Sequence, residues 1–162
     1  MRYLASLIAA SLLLAGTTHA EEHEGRRLAM PAKVNAAWKT ECGSCHMAYP
    51  PGLLPGRSWN ALMDNLSHHF GSNASLDKGT EAEIRQFLLY ASSDRDTRPA
   101  KAAPGERIVT RITDTARFAD WHEEVRADVF RRQSVGSAAN CMACHRGAEQ
   151  GNFDEHQVRI PR

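Results

Sequence analysis

The sequence predicts a mainly α-helical protein built as two small units, and three observations lead there. Apolar residues recur at three- and four-residue spacing in Trp59–Phe70 and again in Phe118–Val129. No stretch alternates convincingly enough to form a sheet. Each half carries one copy of a five-residue pattern, Cys42-Gly43-Ser44-Cys45-His46 and Cys141-Met142-Ala143-Cys144-His145.

The chain of 162 residues begins with a segment that reads as a cleaved leader. Arg2 supplies a positive start, Leu4 to Ala15 is apolar, and Thr18-His19-Ala20 ends in a small residue. The run is too short to span a bilayer. Residues 1–20 are therefore expected to be a signal peptide, and the mature protein to start near Glu21 without a membrane span. Of 20 Lys and Arg against 19 Asp and Glu, loss of Arg2 leaves 19 of each. A near-neutral chain with no basic block interleaved with aromatics does not point to nucleic acid.

The N-terminal unit, residues 21–91, should be helical. Pro31 to His46 predicts a helix leading into the first Cys-x-x-Cys-His pattern. Met47 to Pro55 holds Pro50, Pro51, Gly52 and Pro55 and must be a loop. Ser58 is the expected cap of a helix carrying Trp59, Leu62, Met63, Leu66 and Phe70. Thr80-Glu81-Ala82-Glu83 reads as a capping box. It opens a third helix with Ile84, Phe87, Leu88 and Ala91 inward.

Residues 92–106 are polar, charged and broken by Pro99 and Pro104, and read as a linker. The C-terminal unit, residues 107–162, should hold a helix from about Thr115 to Arg131. Ser137 is the expected cap of a helix carrying the second pattern. Gly147 to Arg162 has few apolar residues and is expected to be irregular.

Cys-x-x-Cys-His is the signature of covalent c-type haem attachment. Two thiols three positions apart can each add to a vinyl group of one porphyrin, and the adjacent histidine then faces the iron. All four cysteines lie in these two patterns. Zinc pairs normally stand roughly 15–20 residues apart, whereas 95 residues separate Cys45 from Cys141. A thioredoxin-like site would need a βαβ setting, which is missing. Two short-range disulfides would suit an exported protein but do not call for a histidine after each second cysteine. The reading is therefore two haem c groups held by Cys42, Cys45, His46, Cys141, Cys144 and His145. They also supply apolar bulk that units of this size lack, so the chain should fold poorly without them. The irregular tail is expected over a haem edge, and the haem propionates tip the balanced charge acidic.

A six-coordinate haem needs a second axial ligand, normally His or Met. His19 leaves with the leader and His23 sits at a frayed end, which leaves His68, His69, His122 and His156, with Met47 and Met63. At 100° per residue from Trp59, Leu62, Met63, Leu66 and Phe70 fall at about 300°, 40°, 340° and 20°. His69 falls at about 280°, beside the stripe, and His68 at about 180°, opposite it. His69 is the better candidate, His68 reads as solvated, and Met63 reads as core with thioether ligation as the alternative. From Phe118 at zero, Trp121, Val125 and Val129 fall at about 300°, 340° and 20° and His122 at about 40°, within the same apolar stripe. A buried imidazole there needs a partner, and an iron is one. His156 follows Asp154-Glu155 and reads as a surface residue.

The order of motif helix, proline loop and closing helices resembles a class I cytochrome c domain. That resemblance implies that a carbonyl of Pro50 or Pro51 accepts the Nδ1–H of His46. More specifically, Glu41 through Pro55, His69-Phe70-Gly71 with Asn73 to Leu76, Ser134 to Asn140, Gln150 to Asp154 and Val158 to Arg162 resemble the bacterial dihaem cytochrome c family. The resemblance covers nearly the whole mature chain. It implies a periplasmic electron carrier with proximal ligands His46 and His145 and distal ligands His69 and His122. It also implies redox partners: a small oxygen-binding c-type haem protein and a membrane cytochrome b. A monomer is expected. The alternatives are a dihaem enzyme of peroxidase type, which needs one open iron, and an electron-transfer subunit of a periplasmic reductase. Saturated irons disfavour the enzyme.

Overall fold

The structure is a computed structural model that describes residues 27–97 and 105–162. The leader, residues 1–20, lies outside the described residues, as do Pro99 and Pro104 of the linker. The described chain is mainly helical. Its only β pairings are the isolated bridges Arg27–Asn152 and His69–Ser72. No described helix is long and apolar enough to cross a membrane.

Among the described residues of the first half there are three α-helices: α1 (Ala36–Gly43), α2 (Gly56–Met63) and α3 (Lys78–Tyr90). Helix α1 is shorter than the expected Pro31–His46. The Asn35 side chain accepts the Trp38 amide at 2.6 Å and so fixes the start at Ala36. The end falls at Gly43, a weak helix former, so Cys45 and His46 lie beyond the helix. The Asn35 amide also donates to Glu83 of α3 at 2.7 Å. Trp38 and Phe87 pack at 5.1 Å between ring centroids. Ala48, Leu54, Trp59, Met63, Ile84 and Leu88 complete this buried cluster.

The expected cap at Ser58 is a second correction. Ser58 lies inside α2 and is buried. The first amide of α2, on Gly56, donates instead to Asp94 Oδ1 at 2.7 Å. The helix then stops at Met63 rather than reaching Phe70. Asp64 and Asn65 follow, residues that compete with helical bonding. Leu66–His68 forms a 3-10 turn, and Phe70 has φ +50°. Helix α3 is capped by Asp77, which accepts from Gly79 and Thr80 at 3.0 Å each, and not by Thr80. Ile84, Phe87, Leu88 and Ala91 are buried as expected.

The second half has one α-helix among its described residues, α4 (Ala116–Trp121), joined by short 3-10 turns. The Thr115 hydroxyl caps α4 by accepting the Phe118 amide at 3.1 Å. The helix ends six residues later, not at Arg131, and His122 is its C-cap. The second motif is a 3-10 turn, Cys141–Ala143, preceded by Asn140 with no side-chain cap, so the expected helix capped by Ser137 does not form. The tail holds two single 3-10 turns in otherwise irregular chain.

The halves meet at several points. Leu53, Ala148 and Phe153 form one buried cluster, against which Leu28, Met47, Tyr49, Ile112 and Cys141 pack. Arg117 donates to the Gly52 carbonyl at 2.8 Å, and the Leu28 amide to the Gly151 carbonyl at 2.8 Å. Gly151 has φ +74°, and a Cβ there would meet the Leu28 oxygen at 2.5 Å. Only glycine serves at such a position.

Candidate haem centres

The first centre forms where α1 gives way to the proline loop. Cys42 sits in the last turn of α1, half-buried, and Cys45 and His46 follow, exposed. His46 Nδ1 lies 2.7 Å from the Met47 carbonyl. A carbonyl only accepts, so Nδ1 carries the proton and Nε2 keeps its lone pair. The expected acceptor, Pro50 or Pro51, is thereby corrected to Met47. The Pro51 oxygen is taken by the buried Trp59 indole at 2.7 Å, and the Pro50 oxygen by the Leu53 amide at 3.0 Å.

Across from His46 stands His69, with ring centroids 6.1 Å apart and planes inclined at 26°. Burial, and then the nearby His46, push the His69 imidazole below its ordinary pKa. His68 is exposed, its Nδ1 2.9 Å from the Ser67 hydroxyl. Since α2 stops at Met63, the α-helical angles do not reach His69. A different rule does: residues i and i+3 eclipse in a 3-10 turn, which sets His69 over Leu66. Leu66 packs on the first core cluster. Met63 is buried inside that cluster, and Met47 packs on the second.

The second centre is assembled by α4, the Cys141–Ala143 turn and the tail. His122 and His145 have ring centroids 6.0 Å apart with planes at 88°. His122 Nδ1 is 2.8 Å from the Phe118 carbonyl, which again fixes the proton on Nδ1. Phe118 stacks on the His122 ring at 4.1 Å. Phe153 meets the His145 ring at 5.4 Å. Burial, and then His122, push His145 below the ordinary imidazole value. Cys141, Cys144 and both histidines line a cavity of about 650 Å³ with Trp121, Val135 and Ile160. The Arg159 amide donates to the Cys144 carbonyl at 3.0 Å, which holds the tail across this cavity. His156 is exposed at its rim.

The residues fit haem better than bare metal. Two metal–imidazole bonds of about 2 Å each on opposite sides of one iron, plus the ring radii, put centroids about 6 Å apart. Both histidine pairs stand at that separation. No group of three or more His, Cys, Asp or Glu suited to a metal ion occurs among the described residues. No disulfide joins any of the four cysteines, so each is available for a thioether bond to a porphyrin vinyl group. Burial, and then Glu41, push Cys42 to about 11; burial also pushes Cys141 to about 11. The volume of the second cavity lies within the range of ligand sites, roughly 300–1,000 Å³.

Phe118, Phe153 and Tyr49 were not singled out from the sequence as neighbours of the site histidines. Phe118 was visible only as part of the α4 stripe. Tyr49 contacts His46 at 4.7 Å between centroids, and its hydroxyl donates to the Ala139 carbonyl at 2.7 Å. Burial, and then Cys141, push its phenol to about 12.

The family model for dihaem cytochrome c matches residues 38–153. The structure is similar to the crystal structure of a diheme cytochrome c from Shewanella baltica, at 41% identity and TM-score 0.66, covering 78% of this chain and 93% of that one. It is also similar to two structures of diheme cytochrome c from Rhodobacter sphaeroides at 38% identity. The first has TM-score 0.62 and covers 75% of this chain and 98% of that one. The second has TM-score 0.66 and covers 77% and 100%. No match is found among curated proteins. The chain therefore belongs to the dihaem cytochrome c family and carries two covalently bound haem c groups.

Proposed function

We propose that this protein is a periplasmic electron carrier whose two haems are low-spin with bis-histidine ligation, His46 with His69 and His122 with His145. The observation that carries this reading is the pairing of rings at 6.1 Å and 6.0 Å. When bound, each haem supplies a one-electron iron couple. The chain's own residues do the rest. The Met47 and Phe118 carbonyls hold the Nδ1 protons of His46 and His122, so that Nε2 of each ring is presented as a donor. Phe118 and Phe153 restrict the rings of the second pair. With His69 and His122 each holding an iron opposite His46 and His145, neither iron would offer a site to peroxide, which favours a carrier over an enzyme. Bis-histidine ligation keeps the potentials below those of His/Met cytochromes. The family resemblance supports a membrane cytochrome b and a small soluble c-type haem protein as partners, and the leader-like N-terminus supports export.

Potentiometric titration followed by low-temperature spin resonance tests this reading. Two low-spin signals are expected, and they should differ. The imidazole planes of the first pair are inclined at 26° and those of the second at 88°, and rings held at those angles would split the dπ orbitals of a bound iron more at the first site than at the second. Carbon monoxide that binds readily to the reduced protein would overturn the reading, because it requires an open iron.

A further inference from the structure

We propose that Tyr49 is a positioning residue that ties the two haem sites together: its ring seats the His46 imidazole and its hydroxyl clamps the loop that delivers Cys141. The inference rests on the reading of His46 as an iron ligand.

The geometry is continuous from one motif to the other. The Tyr49 ring lies 4.7 Å from the His46 ring at 31°. Its hydroxyl, 90 positions away in sequence, donates to Ala139 O at 2.7 Å. That same oxygen accepts the Cys141 amide at 3.0 Å, and the Cys141 thiol lies 3.7 Å from it. One carbonyl thus joins a side chain of the first site to the first cysteine of the second. Tyr49 also packs against both buried clusters, a place shared with Ile112.

Tyr49 is well held for such a role. Ala48 on one side and Pro50 and Pro51 on the other are buried, and the prolines fix their own φ. The ring therefore has little freedom to follow a moving imidazole. On the far side the Asn140 side chain donates to the Val135 carbonyl at 2.9 Å, which braces the receiving loop. Fixed spacing between the motifs means fixed spacing between the charges they hold. The interaction of two charges depends on their separation, so the gap between the two midpoint potentials should respond to Tyr49.

The test compares mature holoprotein with its Y49F and Y49L variants. Y49F keeps the ring against His46 and removes only the hydroxyl. Amide hydrogen exchange over residues 137–141 should quicken about fivefold, the factor for one lost hydrogen bond, without a matching change in α3. The gap between the two midpoint potentials should change as well. Y49L should in addition alter the low-spin signal of the first haem. Where Y49L loses a haem, Y49F alone decides. Failure of the bis-histidine reading would appear in the parent as carbon monoxide binding and leaves the exchange comparison intact. Y49F with parental exchange and a parental potential gap would overturn the proposal, as would quickened exchange spread evenly over the chain.

Discussion

His68 and His69 are adjacent, yet their surroundings separate them. His69 is half-buried and faces His46, whereas His68 is exposed and bonded to Ser67. His69→Ala and His122→Ala should therefore each open one iron and create carbon monoxide binding in the reduced protein. His68→Ala should leave both low-spin spectra unchanged. Absorption spectra of the three reduced variants under carbon monoxide check this, and binding in His68→Ala alone would reverse the assignment of the first pair. The choice between the two histidines shows how much a sequence can carry. Helical angles pointed to His69, but they assumed a helix through Phe70 that ends at Met63. The 3-10 turn returns His69 to the Leu66 face by another period. The angles for His122 likewise assumed a long helix, whereas His122 is the residue that ends α4. Legible without any helix at all were the motif cysteines and histidines, because attachment chemistry fixes their spacing locally.

At the scale of elements, sequence patterns named the helices better than their ends. The buried faces of α2 and α3 follow from periodicity, since Trp59, Met63, Ile84, Phe87 and Leu88 all reach the first cluster. The caps did not, because capping is settled by competition between neighbours and by distant side chains. Asp77 outcompetes Thr80 by accepting two amides, and Asp94 reaches Gly56 from 38 positions away. The Asp77 carboxyl is held below its ordinary pKa, chiefly by its bonds with Thr80. A depressed carboxylate stabilises the fold above its unfolded pKa and loses that contribution as pH falls through its folded one. Asp77→Ala should therefore lower the melting temperature at neutral pH, and the difference from the parent should shrink in acid below the carboxylate range. Calorimetry of both proteins at the two pH values checks it. A second element-scale prediction concerns the tail. Gly151→Ala forces a Cβ into the Leu28 carbonyl at positive φ and should destabilise by more than about 1 kcal/mol. Denaturant unfolding measures that loss, and proteolysis should find the segments around Leu28 and Gly151 first.

For the whole molecule, the contacts that join the halves lie far apart in sequence, which is why the interface could not be read from it. Tyr49 to Ala139 and Arg117 to Gly52 are single hydrogen bonds with no local signature. Cys45 and His46 are exposed at the first motif, whereas Cys144 and His145 are half-buried along the cavity of the second. The second motif is also flanked by the exposed cations Arg131, Arg132 and Arg146. Near the first motif the nearest cation in sequence is the exposed Lys39. With 20 basic and 19 acidic residues in the whole chain, ionised haem propionates make the holoprotein acidic, and these three arginines offset that field at the second site against Lys39 and Arg111, which lies 4.3 Å over the Phe70 ring beside His69, at the first. A redox partner should consequently dock beside the first haem through a basic or apolar rim. Small electron-transfer interfaces bury less than about 1,200 Å² and are transient, so steering should appear mainly in the association rate. In stopped-flow electron exchange with a basic small c-type haem protein, that rate should fall as ionic strength rises and the Debye length shrinks. A rate indifferent to salt would remove the electrostatic argument. Cross-links confined to residues 107–162, with none near Lys39, would move the docking face to the second haem.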